Sequence, residues 1–217
     1  MADFAARRRT MVDTQIRPSD VTSFPILDAM LSVPREAFVP GGMRDLAYVG
    51  GPVPLSAGRQ LMEPRTIAKM LAALKVTPSD LVLEIAPGMG YTTALLARMA
   101  EAVVAVEEDE GLAREAEAAL SAHDIHNAAV LTGPMAAGSP RNGPYDAIVV
   151  FAGVEEIPPA LIDQLKEGGR IAAVFMQGAL GEMRLGHKVH GAVSWRMEFN
   201  ATAPVLPGFA RVPGFVF

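Results

Sequence analysis

The 217-residue chain contains no cysteine. This excludes disulfides, thiolate-ligated zinc and a thiol nucleophile, and is compatible with the cytosol. Basic charge is in short supply: 19 Lys and Arg stand against 24 Asp and Glu, a net charge of -5. An acidic chain without a basic stripe is a poor partner for nucleic acid, whose binding rests on neutralising phosphates. An uncharged apolar run long enough to cross a membrane is missing as well. The stretch from 81 to 106 is interrupted by Glu84, Arg98 and Glu101, so no membrane span is expected. Arg7-Arg8-Arg9 is followed by the polar Asp13-Thr14-Gln15 where a signal peptide needs an apolar core; the run reads as a solvated helix face, and the expected location is cytoplasmic. Internal repeats and low-complexity segments are also lacking.

Catalytic constellations of the common kinds are missing too. Ser56, Ser121 and Ser194 have no histidine and acid neighbours in a nucleophile pattern, which argues against a hydrolase. His187 and His190 are three apart, a spacing that puts strand residues on opposite faces. His123 and His126 follow a helix and read as exposed. No metal site is expected.

What is present is apolar residue, half of the chain. That suffices for one domain with a sizeable core. Within it, residues 1–62 read as an N-terminal cap and substrate loop, 63–176 as an α/β core, and 177–217 as a hairpin and tail.

The core is organised around Leu81-Val82-Leu83-Glu84-Ile85-Ala86-Pro87-Gly88-Met89-Gly90-Tyr91. The apolar run reads as a buried parallel strand. Two glycines then open a helix from about Tyr91 to Ala100. A strand, tight glycine turn and helix bring backbone close to a nucleotide-like ligand. Val103-Val104-Ala105-Val106 is a second strand, ending in Glu107-Glu108-Asp109. An acid at that tip accepts hydrogen bonds from two ribose hydroxyls. The unit therefore predicts a ribose-bearing cofactor, although the full GxGxxG is lacking.

Further elements follow in alternation. Phe4, Met11, Val12 and Ile16 mark a first helix, and Phe24–Leu31 a second. Pro64 opens a helix striped by Ile67, Met70, Leu71 and Leu74; Leu112, Ala116, Ala119 and Leu120 mark another. Strands are expected at 128–131, 145–151 and 170–175, with a short helix after Pro158-Pro159. Glu182–His190 and Ser194–Asn200 read as an antiparallel hairpin turning at Gly191-Ala192. Phe209, Phe215 and Phe217 look exposed in a proline-rich tail, which points to docking either onto the body or onto a partner. The fold class is α/β: a doubly wound, Rossmann-like methyltransferase sheet of parallel strands, closed by a C-terminal antiparallel hairpin under an N-terminal helical cap.

Several strings resemble one family. They are Met11-Val12-Asp13-Thr14-Gln15-Ile16, Val33-Pro34-Arg35-Glu36-Ala37-Phe38-Val39-Pro40, Ala47-Tyr48, Leu83-Glu84-Ile85 with Gly88, Gly90 and Tyr91, Pro144-Tyr145-Asp146, and Gln164 to Arg170. In order and spacing they are similar to the protein-L-isoaspartate O-methyltransferases. The resemblance implies methyl transfer from S-adenosyl-L-methionine to an isoaspartyl carboxylate in damaged protein. It implies isoaspartyl peptides or proteins as partners and a monomer or weak homodimer. It places Glu84, Ala86, Gly88, Gly90, Tyr91, Glu107, Glu108, Pro134 and Met135 at the cofactor and Leu61 and Met62 at the reacting groups.

Three positions depart from the family pattern. Its substrate loop reads Gly-Gln-Thr-Ile-Ser-Gln-Pro; here Gly58-Arg59-Gln60-Leu61-Met62-Glu63-Pro64 puts Met62 at the serine, and a thioether donates no hydrogen bond. Its first loop glycine is Ala86, followed by Pro87, which removes a backbone donor. Its Gly-Asp-Gly after the third strand is Gly133-Pro134-Met135, without the carboxylate that holds the adenine amino group. Each lost hydrogen bond costs about 0.5–1.5 kcal/mol. Two other readings stand beside this one. One is a catalytically divergent member that binds a protein or metabolite or methylates another acceptor; the other, weaker, is a nicotinamide dehydrogenase.

Overall fold

The computed structural model describes residues 3–211. Its centre is a seven-stranded sheet in the order β5-β4-β3-β6-β7-β8-β9. The strands are β3 (Leu81–Ile85), β4 (Ala102–Glu107), β5 (Ala128–Thr132), β6 (Tyr145–Val154), β7 (Leu165–Gln177), β8 (Leu180–Val189) and β9 (Ala192–Asn200). The first five run parallel, and β8 and β9 are antiparallel to their neighbours. From β3 the chain proceeds outward through β4 to β5, then returns to the other side of β3 as β6. That reversal creates a crevice beyond the carboxyl ends of β3 and β6, the place where open α/β sheets bind ligands.

Each strand feeds two cores by alternation. Val82 and Val103 face one cluster, with the N-terminal helices; Leu83, Ile85, Val104 and Val106 face the other. Helix α3 (Pro64–Leu74) starts with proline at its first position and buries Ile67, Met70, Leu71 and Leu74. Each of these side chains contributes roughly 1.5–3 kcal/mol. Helix α5 (Glu110–Ala122) is capped by Asp109, whose carboxylate accepts from the amides of Gly111 and Leu112. Helices α1 (Phe4–Met11), with a π-helical turn over Val12–Ile16, and α2 (Phe24–Ser32) pack against α3 and α4 (Tyr91–Ala97). The cap therefore lies on the sheet's flank. What lies over the glycine turn is a two-stranded hairpin, β1 (Val53–Ser56) and β2 (Arg59–Leu61).

Four details differ from the sequence-based expectation. Helix α4 stops at Ala97 rather than Ala100, because the amides of Met99 and Ala100 both fold back to the Leu96 carbonyl. The Glu101 amide then bonds to Asp80 O at 3.0 Å and leads into β4. The last turn is His190-Gly191, one residue early: both have positive φ, 53° and 78°, as a two-residue hairpin turn of the primed type requires. β7 begins at Leu165, before the glycine pair expected to precede it. Phe209, which looks exposed in sequence, is fully buried: of the two alternatives it takes docking onto the body. Residues 201–209 run beside the end of β6, where the Gly153 amide donates to Pro204 O and Leu206 N donates to Gly153 O, both at 2.9 Å. A Cβ on Gly153 would overlap the carbonyls of Ala203 and Pro204, so the close approach requires glycine. Phe215 and Phe217 lie outside the described residues.

Candidate active site

Glu107 ends β4 at the rim of the crevice and is completely buried. Its Oε2 accepts from the Gly88 amide at 3.1 Å, and its Oε1 from the amides of Glu108 and Asp109 at 2.9 and 3.1 Å. The remaining lone pairs are taken by Arg59, at the start of β2. Nη1 lies 2.6 Å from Oε1 and Nη2 lies 2.7 Å from Oε2. This two-pronged pairing matches a planar guanidinium to a planar carboxylate. The Arg59 side chain is only 11% exposed, and its Nη1 is 4.0 Å from Met135 Sδ. A buried carboxylate demands such compensation, since an unpaired ion there costs several kcal/mol.

The glycine turn lies beneath this pair. Ala86, Gly88 and Gly90 all have positive φ, at 62°, 59° and 89°. Ala86 thus occupies a left-handed conformation that glycine adopts without strain and alanine does not. Over Gly88 sits Leu55 of β1; a Cβ there would come within 2.5 Å of Leu55 Cδ1. Gly90 caps α4 and packs against Ala116.

Glu84, at the buried end of β3, uses both oxygens inside the protein. Oε1 accepts from the Thr92 hydroxyl and Oε2 from the Thr93 hydroxyl, the latter at 2.6 Å. Burial pushes its carboxyl up to about 7; the two threonine hydroxyls oppose the rise, and Glu107 adds to it. In this arrangement Glu84 ties the strand to the first turn of α4.

Tyr91 points toward the N-terminal cap, edge-on to Phe38 with centroids 6.1 Å apart. The Arg35 guanidinium lies 4.9 Å from the centre of the Tyr91 ring. Arg35, itself fully buried, donates from Nε to Ala47 O at 2.6 Å and from Nη2 to Met62 O at 2.7 Å. It thereby links the Val33–Pro40 string, Tyr48's neighbour Ala47 and the loop before α3. Leu61 pairs with Val53 in the hairpin, and both Leu61 and Met62 are buried. Met135 is buried, whereas Pro134 and Glu108 are exposed.

A groove of about 840 Å³ runs alongside, lined by Gln60, Met62, Glu63, Arg65, Asn200 and Thr202 among others. At the crevice itself only about 10 Å³ remains, between Arg59, Ala86, Phe151 and Leu206. The groove and this residual cavity share Gln60, Met62, Ala203 and Pro204 as walls.

The family model described as Protein-L-isoaspartate(D-aspartate) O-methyltransferase (PCMT) matches residues 6–197. The chain belongs to this family. It is 40% identical over 185 residues to Protein-L-isoaspartate O-methyltransferase 2 of Pelobacter propionicus, covering 83% of this chain and 82% of that one. It is 45% identical over 168 residues to Protein-L-isoaspartate O-methyltransferase 1 of Rhodopseudomonas palustris, covering 77% and 69%. Two solved structures share the fold. A protein-L-isoaspartate O-methyltransferase superposes with a TM-score of 0.82 at 24% identity, over 93% of this chain and 66% of that one. A Plasmodium falciparum protein described as a putative member, in complex with S-adenosyl-L-homocysteine, gives 0.80 at 19% identity, over 95% and 99%.

The crevice does not fit an adenosyl cofactor as it stands. Small-molecule sites occupy about 300–1,000 Å³, far more than the 10 Å³ left here. The acid that the resemblance assigns to ribose is saturated by Arg59 and three amides. The turn that would approach the ligand is covered by Leu55. Glu84 has no oxygen to spare.

Of the residues expected at the cofactor, the Gly88 and Glu108 amides converge on Glu107, Met135 touches its partner Arg59, Tyr91 packs toward the cap, and Pro134 is exposed. Arg59, Leu55 and Arg35 were not singled out from the sequence. For Arg59 a signal existed: an arginine at the glutamine of the family loop.

Among the described residues no group of three or more His, Cys, Asp and Glu forms a metal site. No helix among them is long and apolar enough to cross a membrane.

Proposed function

We propose that this protein transfers a methyl group from S-adenosyl-L-methionine to the carboxylate of isoaspartyl residues in proteins. The observation that carries this reading is the 840 Å³ groove sharing Gln60, Met62, Ala203 and Pro204 with the crevice at the sheet reversal. An extended peptide in the groove would present a carboxylate to that wall, and family membership supplies the reaction. Glu63 and Arg65, ion-paired at 3.3 Å on the groove rim, offer a cation for the acceptor carboxylate. Gln60 offers the amide donor that the thioether of Met62 cannot. For such a reaction the main requirement on the protein is to hold nucleophile and methyl in line and keep water out. The test is incubation of purified protein with an isoaspartyl peptide and labelled S-adenosyl-L-methionine. Base-labile methyl ester is expected on the isoaspartyl peptide and not on its aspartyl counterpart. Absence of ester, where an intact family member forms it, sinks the reading.

A second reading, a divergent member that binds without methylating, is favoured by the closed crevice together with Met62 and Pro134 at two family positions. The double variant Met62→Ser, Pro134→Asp separates the two. Activity only in that variant favours the binding protein.

A further inference from the structure

We propose that Arg59 is an internal occupant of the ribose position: the β1–β2 hairpin latches shut over the crevice by placing its guanidinium on Glu107. The ligand named in this proposal rests on the donor reading above. Three observations carry it. The guanidinium meets both carboxylate oxygens, at 2.6 and 2.7 Å, with 11% and 0% of the two side chains exposed. No other ion pair among the described residues is buried as deeply; Arg8–Glu36 and Arg170–Asp80, at 14%/14% and 16%/8%, come next. Leu55, on the same hairpin, fills the space above Gly88 that a ligand needs. The remaining void is about 10 Å³. A vicinal diol and a guanidinium both donate two hydrogen bonds to one carboxylate, so the two compete for the same atoms.

The latch requires the hairpin to lift as a unit. It forms its own two-stranded sheet, separate from the seven-stranded one, and turns through Gly58, whose φ is 71°. Its position is set by side chains, Val53 and Leu61 in the core and Arg59 and Leu55 over the crevice, rather than by a shared ladder. A ligand therefore binds only the fraction of molecules in which the hairpin is lifted, and its apparent affinity falls by that fraction.

The test compares the wild-type chain with Arg59→Gln, which restores the glutamine of the family loop, and with Leu55→Ala. Hydrogen exchange is read at residues 53–61 and at the amides of Gly88, Glu108 and Asp109, without ligand. Affinity for S-adenosyl-L-homocysteine is then read by calorimetry. Faster exchange in both variants and about 10- to 100-fold tighter binding than wild type are expected. Unchanged exchange in Arg59→Gln overturns the latch whatever the affinities. Faster exchange with equal, measurable affinity in all three chains overturns the competition with ribose. Faster exchange with no binding by any chain at millimolar ligand also removes Arg59 as a competitor for ribose and refutes the donor reading; the exchange data alone then establish the clasp. Circular dichroism confirms that each variant is folded.

Discussion

Replacing Glu84 with glutamine isolates one buried carboxyl whose proton the fold holds. Its two oxygens face the hydroxyls of Thr92 and Thr93 and no solvent. Burial is the main cause of a carboxyl raised from 4.5 to about 7. The folded state thus favours the protonated form. Stability from this group is fully present below 4.5, falls as pH rises from 4.5 to about 7 while the unfolded chain ionises first, and stays low above 7. Retaining the proton to about pH 7 corresponds to about 3 kcal/mol. Glutamine is nearly isosteric, accepts from one threonine, donates to the other, and does not titrate. The stability of Glu84→Gln relative to wild type should therefore rise by about 3 kcal/mol across that window and then level off. For a domain of this size that corresponds to about 6–12 °C in melting temperature. The assay is urea denaturation of both chains in matched buffers from below pH 4.5 to above pH 7. Titrations of groups that do not interact with Glu84 cancel in the difference. A difference that stays flat across the window would refute the reasoning, because the carboxyl would then ionise as freely folded as unfolded.

Two further substitutions test the packing around the site. Phe209→Ala removes a fully buried ring that anchors residues 201–209 over the strand ends, and should cost about 3–5 kcal/mol by urea denaturation; a cost below about 1 kcal/mol would mean the segment is not docked. Arg35→Ala strips the carbonyls of Ala47 and Met62 of their donors and the Tyr91 ring of its cation. It should destabilise the chain by on the order of 3 kcal/mol and speed exchange at the residues flanking Met62, while exchange in the distant β8–β9 turn stays as in wild type.

Much of the fold could be read from residue pattern because its signals are local. Five apolar strands, proline-led α3 and the apolar stripe of α5 each declare themselves within a few positions. The errors arose where a distant partner decides. Phe209 looks exposed beside Pro207 and Gly208, yet a bare Gly153 more than fifty residues earlier lets its segment lie against β6. At Glu84, a family position, the hydroxyls that take both oxygens belong to Thr92 and Thr93, on the next element.

The crevice is the extreme case of the same limitation. The acid Glu107 and the turn at Gly88 are legible because strand ends and glycine turns have a fixed geometry in this kind of sheet. Arg59 is 48 residues from Glu107, on a hairpin whose path is fixed by the side chains it covers and not by its own pattern. A neutral glutamine there would offer the buried carboxylate an amide donor but no charge; the arginine supplies a two-pronged ion pair from within. One charged side chain in a loop thus gives the acid at the end of β4 a partner from within the chain, without changing the strand, the turn or the acid.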